Sequence, residues 1–375
     1  MKIAINTRFL QSGQLEGFGW YTHEIVRRIV LAHPEVDFLF VSDRPLEEQF
    51  LYGPNVTALV LPPRARFGPL FFCWFEWSVR RALLKHRADV FFSPDSMCSL
   101  FSRVPTAMTC HDLVPLHFPA QVPWIHRYYI LFFLPRFLRR AEQVITVSNY
   151  VRQDIIQTCR IPENRVQAIY NGCREGFKPL EEFAKLAVQQ QFSEGQPYFF
   201  YAGAIHPRKN IHRLIQAFDL FKSQTGAPHK LLLAGRFAWK TGEVRDAWEA
   251  AEHRHDILFL GYIPEEDLYR LTAAATALTY VSISEGFGLP ILEAMYCDTP
   301  VMAANASCLP EIAGDAALLV EPLSVEHMAQ GLEQLASDAG LRQSLISKGR
   351  QQRTMFSWDQ AAEEVFQVLK GLGGV

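Results

Sequence analysis

The sequence predicts an α/β protein made of two doubly wound, mostly parallel domains. Three observations predict it. The chain has 375 residues, more than one hydrophobic core usually serves, so two domains of similar size are expected. Short runs of β-formers alternate with helical patterns along most of its length, which is the mark of a parallel sheet covered by helices. The first such run leads into glycines and then a helix, the opening of a nucleotide-type α/β unit.

Taken in order, Lys2–Thr7, Asp37–Val41, Val56–Leu61, Val90–Ser93, Thr106–Cys110, Gln143–Val147 and Arg165–Tyr170 read as strands. After the first, Gly13 and Glu16-Gly-Phe-Gly-Trp20 read as a glycine loop, with a helix from about Tyr21 to Ala32. Gly17 and Gly19 lack the full dinucleotide spacing, so the loop alone identifies no ligand. Residues 173–196 turn polar, and a domain boundary is expected there, with one domain over 1–178 and a second over 179–355. In the second, strands are expected at Tyr198–Ala202, Lys230–Ala234, Ile257–Leu260, Ala277–Ser282, Pro300–Ala303 and Ala317–Val320. The tail, 356–375, is an amphipathic helix expected to pack back on the first domain.

Composition narrows the function. The formal net charge is −2, which argues against a nucleic-acid binder that relies on overall charge. Seven cysteines are scattered, with no pair at metal-ligand spacing, as in a reduced cytoplasmic protein. The N-terminal run Met1–Asn6 is too short for a signal peptide. The longest apolar run, 128–138, is interrupted by Pro135 and Arg136, short of the roughly 20 residues a membrane span needs. Two aromatic groups are interleaved with arginines. Phe67, Phe71, Phe72, Trp74, Phe75 and Trp77 lie among Arg64, Arg66, Arg80 and Arg81; residues 124–137 are flanked by Arg127, Arg136, Arg139 and Arg140. Such segments suit core helices, the walls of an acceptor pocket, or contact with an anionic membrane surface.

The chemistry gathers in the second half. Ser282 to Glu293 reads as a strand end, a glycine loop and a helix start, with carboxylates at Glu285 and Glu293. Gly286 and Gly288 let a ligand approach the backbone between Phe287 and Leu289. Unpaired N–H groups at a helix start favour an anion. Upstream, Gly203-Ala-Ile-His-Pro-Arg-Lys-Asn210 follows a strand, and its Arg208 and Lys209 suit a diphosphate. Cations for a diphosphate and carboxylates for hydroxyls describe a sugar nucleotide. Taken alone, His111 reads as a structural histidine, and Gly17 and Gly19 read equally well as turn glycines.

These segments, with Leu232-Leu-Ala-Gly235, Leu260-Gly-Tyr-Ile-Pro264, Asp298-Thr-Pro-Val301 and Leu309-Pro-Glu-Ile312, occur in an order that resembles the retaining glycosyltransferases of the GT-B fold, the glycosyl transferases group 1 type, bacterial mannosyltransferases among them. The resemblance covers nearly the whole chain. It implies two Rossmann-like domains facing each other across a cleft, the N-terminal one on the acceptor side. It implies that Glu285 binds hydroxyls of the transferred sugar and Glu293 those of the ribose, and that Arg208 and Lys209 bind the phosphates. By the same resemblance Gly203, Gly286, Phe287, Gly288 and Leu289 line the donor, Gly17 and Gly19 lie near its phosphate, and His111 faces the reacting sugar. Two positions depart from the family's habit: Ala204 and Trp20 stand where it often has arginine.

The expected activity is retaining transfer of a hexose, mannose from GDP-mannose first, with UDP-sugars open, to a glycan or lipid-linked saccharide in surface polysaccharide assembly. No Asp-x-Asp occurs, so neither a metal nor a cofactor beyond the sugar nucleotide is expected. The expected location is the cytoplasm, with the inner face of the plasma membrane as the place of any peripheral contact. The alternative is a catalytically silent nucleotide-sugar binding or scaffold subunit. An NAD-dependent oxidoreductase lacks its glycine fingerprint here, and a sugar-nucleotide epimerase of the same fold fits the motifs less well.

Overall fold

Parallel strands covered by helices on both faces read as unbroken apolar runs rather than alternating ones. Segments such as Tyr198-Phe-Phe-Tyr-Ala202 and Lys230-Leu-Leu-Leu-Ala234 have this character. The computed structural model describes residues 1–374 apart from 12–14, 16, 66, 123 and 238–240. Gly13, Glu16 and Arg66, named above, lie outside the described residues.

The chain divides into two units, Met1–Gly172 with Ser357–Val375, and Cys173–Phe356. The first contains β1 (Lys2–Asn6), β2 (Asp37–Ser42), β3 (Val56–Val60), β4 (Val90–Ser93), β5 (Thr106–Cys110), β6 (Gln143–Thr146) and β7 (Val166–Ala168). Their order across the sheet is β3-β2-β1-β4-β5-β6-β7, and every pairing is parallel. The second contains β8 (Tyr198–Ala202), β9 (Lys230–Ala234), β10 (Ile257–Gly261), β11 (Ala277–Tyr280), β12 (Val301–Ala304) and β13 (Ala317–Val320). Here the order is β10-β9-β8-β11-β12-β13, again all parallel. This is the doubly wound order, in which the direction of progression reverses between β8 and β11 and leaves a crevice for ligands at the strands' carboxyl ends.

One sequence expectation is corrected at the first glycines. Gly17 and Gly19 do not sit in a loop before the helix; the helix itself runs Gly17–Ala32. Glycine disfavours helix, which is why the segment reads as a loop. Packing explains Gly19: a Cβ there would come 2.8 Å from the Phe9 carbonyl oxygen and 3.0 Å from Leu15. Gly17 has open space around it.

The C-terminal helix, Trp358–Leu372, belongs to the first unit. It is capped by the Ser357 hydroxyl, which accepts from the Gln360 N–H. It lies against the helix Gly17–Ala32, where Arg28 Nε donates to Asp359 Oδ1 at 2.6 Å. Just past that helix, the ring of His33 stacks on Phe366.

The aromatic groups are divided by helix geometry. Residues 68–85 form a helix whose middle, Trp74–Val79, is a π turn. Trp74 and Phe75 face inward and join Leu39, Val41 and Phe91 in the core, whereas Phe67 and Trp77 are exposed. The second group lies on the helix Trp124–Arg140, which continues through Pro135. Its Leu134, Phe137 and Leu138 are buried, while Tyr128 and Phe132, one turn apart, point out. No described helix is long and apolar enough to cross a membrane.

Candidate functional site

In the second unit, β8 and β11 are neighbours, paired at Ala277 with Phe199 and at Leu278 with Phe200. The turn after β8 and the loop after β11 therefore emerge side by side. Gly203 and Gly235, at the ends of β8 and β9, both have φ +147, and a Cβ on Gly235 would overlap the Gly203 carbonyl oxygen. The chain then makes a tight turn over Pro207–Lys209 and enters the helix Ile211–Thr225. Asn210 caps that turn at φ +62, a conformation asparagine tolerates. Its buried side-chain amide donates to the Val281 carbonyl at 3.2 Å and the Pro322 carbonyl at 2.6 Å. The turn is thereby tied to the segment just after β11 and to the loop after β13.

This framework brings three of the sequence-predicted residues together. Arg208 Nη1 donates to Glu285 Oε2 at 2.6 Å and to the Ser284 carbonyl at 3.0 Å. Lys209 Nζ pairs with Glu285 Oε1 and donates to the Tyr280 hydroxyl at 2.7 Å. Tyr280 in turn donates to Glu285 Oε1 at 3.0 Å. The backbone of Glu285 is fixed as well, its N–H on the Ser307 hydroxyl at 3.1 Å and its carbonyl taking the Cys308 thiol at 3.2 Å. Burial by itself would raise the Glu285 carboxyl, but the charges and hydrogen bonds of Lys209 and Arg208 overcome it and hold the group at about 2. The carboxylate is therefore ionised at any ordinary pH, and two cations stand beside it at the crevice.

Glu293 lies one turn into the helix Leu289–Tyr296, which opens after Gly288 at φ +97 with Pro290 in its first turn. Gly286, Phe287 and Gly288 are buried and Leu289 half-buried. The Phe287 ring meets Phe356 edge-on at 5.7 Å. Glu293 is also buried, and its Oε1 accepts from Arg174 Nε at 3.0 Å and Nη2 at 2.7 Å. Sequence reasoning missed Arg174, which sits in the polar stretch that reads as a linker. It also missed Tyr280, which reads simply as a β-former.

His111, Gly17 and Gly19 belong to the first unit. His111 follows β5, and its ring is held edge-on between Phe18 and Tyr21, each at 4.7 Å. His111 Nε2 lies 2.9 Å from the Pro94 carbonyl oxygen. A carbonyl only accepts, so Nε2 carries the proton and Nδ1 the lone pair. Burial lowers the imidazole to about 4, against smaller opposing effects of the Pro94 carbonyl and Asp95. The ring is neutral near pH 7 and offers an acceptor rather than a charge.

Residues 182–352 match the family model Glycosyl transferases group 1, and residues 15–175 match Glycosyltransferase Family 4. The chain is 34% identical over 369 residues to O-antigen chain mannosyltransferase B of Escherichia coli, covering 95% of this chain and 96% of that one. The chain belongs to the glycosyl transferases group 1 family. It is also 27% identical to O-antigen chain mannosyltransferase RfbU of Salmonella typhimurium, over 75% of this chain and 76% of the other. Solved structures share its fold. WaaG, a glycosyltransferase involved in lipopolysaccharide biosynthesis, superposes with a TM-score of 0.75 at 16% identity, over 98% of this chain and 100% of that one. Anabaena HepE, in complex with UDP-glucose, gives 0.77 at 20% identity over 99% and 100%. The two parallel-sheet units are thus those of a GT-B glycosyltransferase. The segment matched by the group 1 model contains Arg208, Lys209, Glu285 and Glu293.

Proposed function

We propose that this chain is a retaining, metal-independent hexosyltransferase, with GDP-mannose as its donor and a surface glycan or its lipid-linked precursor as its acceptor. The observation that carries the reading is the cluster in which Arg208 and Lys209 converge on the Glu285 carboxylate at the crevice between β8 and β11. In transfer, the bond from the sugar's anomeric carbon to a phosphate oxygen breaks. Negative charge grows on the leaving diphosphate and positive charge on the sugar ring. Arg208 and Lys209 would carry the first, preorganised as fixed cations need to be. Glu285, already ionised, would accept hydroxyl hydrogens of the sugar, and Glu293 those of the ribose. Neutral His111 would accept from a substrate hydroxyl through Nδ1. An acceptor oxygen arriving on the face the diphosphate leaves would retain the anomeric configuration, the departing phosphate oxygen taking its proton. Two side-chain cations do what a metal does in other transferases.

Mannose is favoured by the names of the relatives just described, whereas the UDP-glucose complex of HepE keeps UDP-sugars as the competing donors. A thermal-shift panel of GDP-, UDP-, ADP- and TDP-sugars decides between them. GDP-mannose is expected to stabilise most, and NMR of the product is expected to show the donor's anomer in the presence of a chelator. A larger shift with a UDP-sugar would sink the donor assignment, and an inverted product the retention.

The exposed stripe of the helix Trp124–Arg140 supports peripheral contact with the inner face of the plasma membrane. Tyr128 is 75% and Phe132 51% exposed, and the Arg136 guanidinium lies 3.5 Å over the Phe132 ring. Basic residues with outward aromatics suit an anionic interface. The protein is expected to float with anionic liposomes at low salt, less so as the double variant Tyr128→Ser, Phe132→Ser. Absence of co-flotation at low salt would end the idea.

A further inference from the structure

We infer that Arg174 is the positioning residue of the donor site, holding Glu293 so that one carboxylate oxygen is presented to a ribose diol. The inference rests on the reading of Glu293 as the ribose ligand. It starts from the asymmetry of the Glu293 carboxylate. Two donors of Arg174, Nε and Nη2, converge on Oε1 at 3.0 and 2.7 Å. Among the described residues no hydrogen bond reaches Oε2. A buried carboxylate with no cation would lose its charge or leave its place. Arg174 supplies that cation on the Oε1 side, and Oε2 is left with its lone pairs to accept from vicinal hydroxyls.

Arg174 is itself fixed on several sides. Its Nη1 donates to Glu265 Oε1 at 3.2 Å. Glu265, in the first turn of the helix Glu265–Ala274, also holds the Tyr269 hydroxyl. The guanidinium carbon lies 5.3 Å from the centre of the Phe177 ring, and Phe177 meets the Tyr269 ring at 4.4 Å. A guanidinium clamped by two carboxylates and a ring cannot follow a ligand, but it can hold a ligand's partner still. A lysine cannot reproduce the two-pronged grip, because its ammonium is a point charge without a fixed fork.

The test separates the ribose grip from the phosphate grip. Binding of GDP, UDP, their deoxyribose analogues lacking the 2′ hydroxyl, and inorganic pyrophosphate is measured by calorimetry on the full chain, using whichever base the wild type binds. For Arg174→Ala, the preference for ribose over deoxyribose is expected to fall by about tenfold, the scale of one charge-assisted hydrogen bond. Pyrophosphate binding should stay within about twofold, since Arg208 and Lys209 are untouched. Arg174→Lys should regain only part of the lost preference. An unchanged ribose preference in Arg174→Ala overturns the inference. Loss of pyrophosphate binding along with the nucleotide overturns it too, since that would assign Arg174 to the general fabric of the unit. Glu293→Gln separates the two possible failures. If it abolishes the preference and Arg174→Ala does not, the ribose reading survives and Arg174 is excluded. If neither variant alters it, the ribose reading itself fails.

Discussion

Glu285→Gln is expected to lower kcat/KM by at least about a hundredfold, the usual size of effect when a group that stabilises transition-state charge is lost. The amide keeps the shape but removes the anion that Lys209 and Arg208 enclose. Sugar hydroxyls would then meet an acceptor of half the capacity, and Arg208 and Lys209 would lose the carboxylate charge that orients them toward the diphosphate. Activity within about threefold of wild type, in a protein with an unaltered circular dichroism spectrum, would remove Glu285 from the mechanism. The same substitution should cost about 3 kcal/mol of stability, because Lys209 is buried and loses its counter-charge. The pH dependence has a definite sign. The Glu285 carboxyl falls from 4.5 to about 2 on folding. Its contribution is therefore complete above the unfolded value, and is lost as pH falls from there through the folded one. Urea denaturation of wild type and variant should converge as the pH drops through that window.

Gly235→Ala is expected to destabilise the protein by about 3 kcal/mol or more and to abolish donor binding. The new methyl group would occupy the place of the Gly203 carbonyl oxygen, and that atom is backbone, unable to swing aside. The backbone at φ +147 is a second obstacle for any L side chain. Relief requires the ends of β8 and β9 to part. The end of β8 leads directly into the turn that carries Arg208 and Lys209. Thermal denaturation reads the stability and nucleotide titration the binding. A variant as stable as wild type would mean that the two strand ends are looser than their close approach implies.

The strands were legible because each is a short, continuous apolar run between turn-forming residues, and a sheet sandwiched between helices permits nothing else. Their thirteen positions were expected within a residue or two, most loosely at β7 and β11. Helix starts were harder. The first helix opens at Gly17 although glycine is a poor helix former, and at Gly19 the close Phe9 carbonyl leaves no room for a side chain. Surface and core aromatics could not be told apart within 67–77, where a π turn shifts the helical phase and turns Trp74 inward and Trp77 outward. In the site, Arg208, Lys209 and Glu285 were legible as charged residues following β-runs, where parallel sheets present ligands. Arg174 and Tyr280 were not. Arg174 lies 119 positions from Glu293 in the chain, and nothing local marks it as a partner. Tyr280 is in a strand, and only the pairing of β8 with β11 reveals that its hydroxyl meets Lys209.

Met1 and Gly373 belong to one unit, and a methyl group placed on Gly373 would lie 2.9 Å from the Met1 sulfur. The two seams of the other unit are also neighbours, for Gly172 abuts the backbone and indole of Trp358. Cys173–Phe356 is consequently a single cassette spliced into its host at one spot. Exchanging it for another such unit takes two cuts at adjacent points, and neither cut falls within a strand of the host's sheet, so the half that holds Arg208, Lys209 and Glu285 leaves that sheet whole.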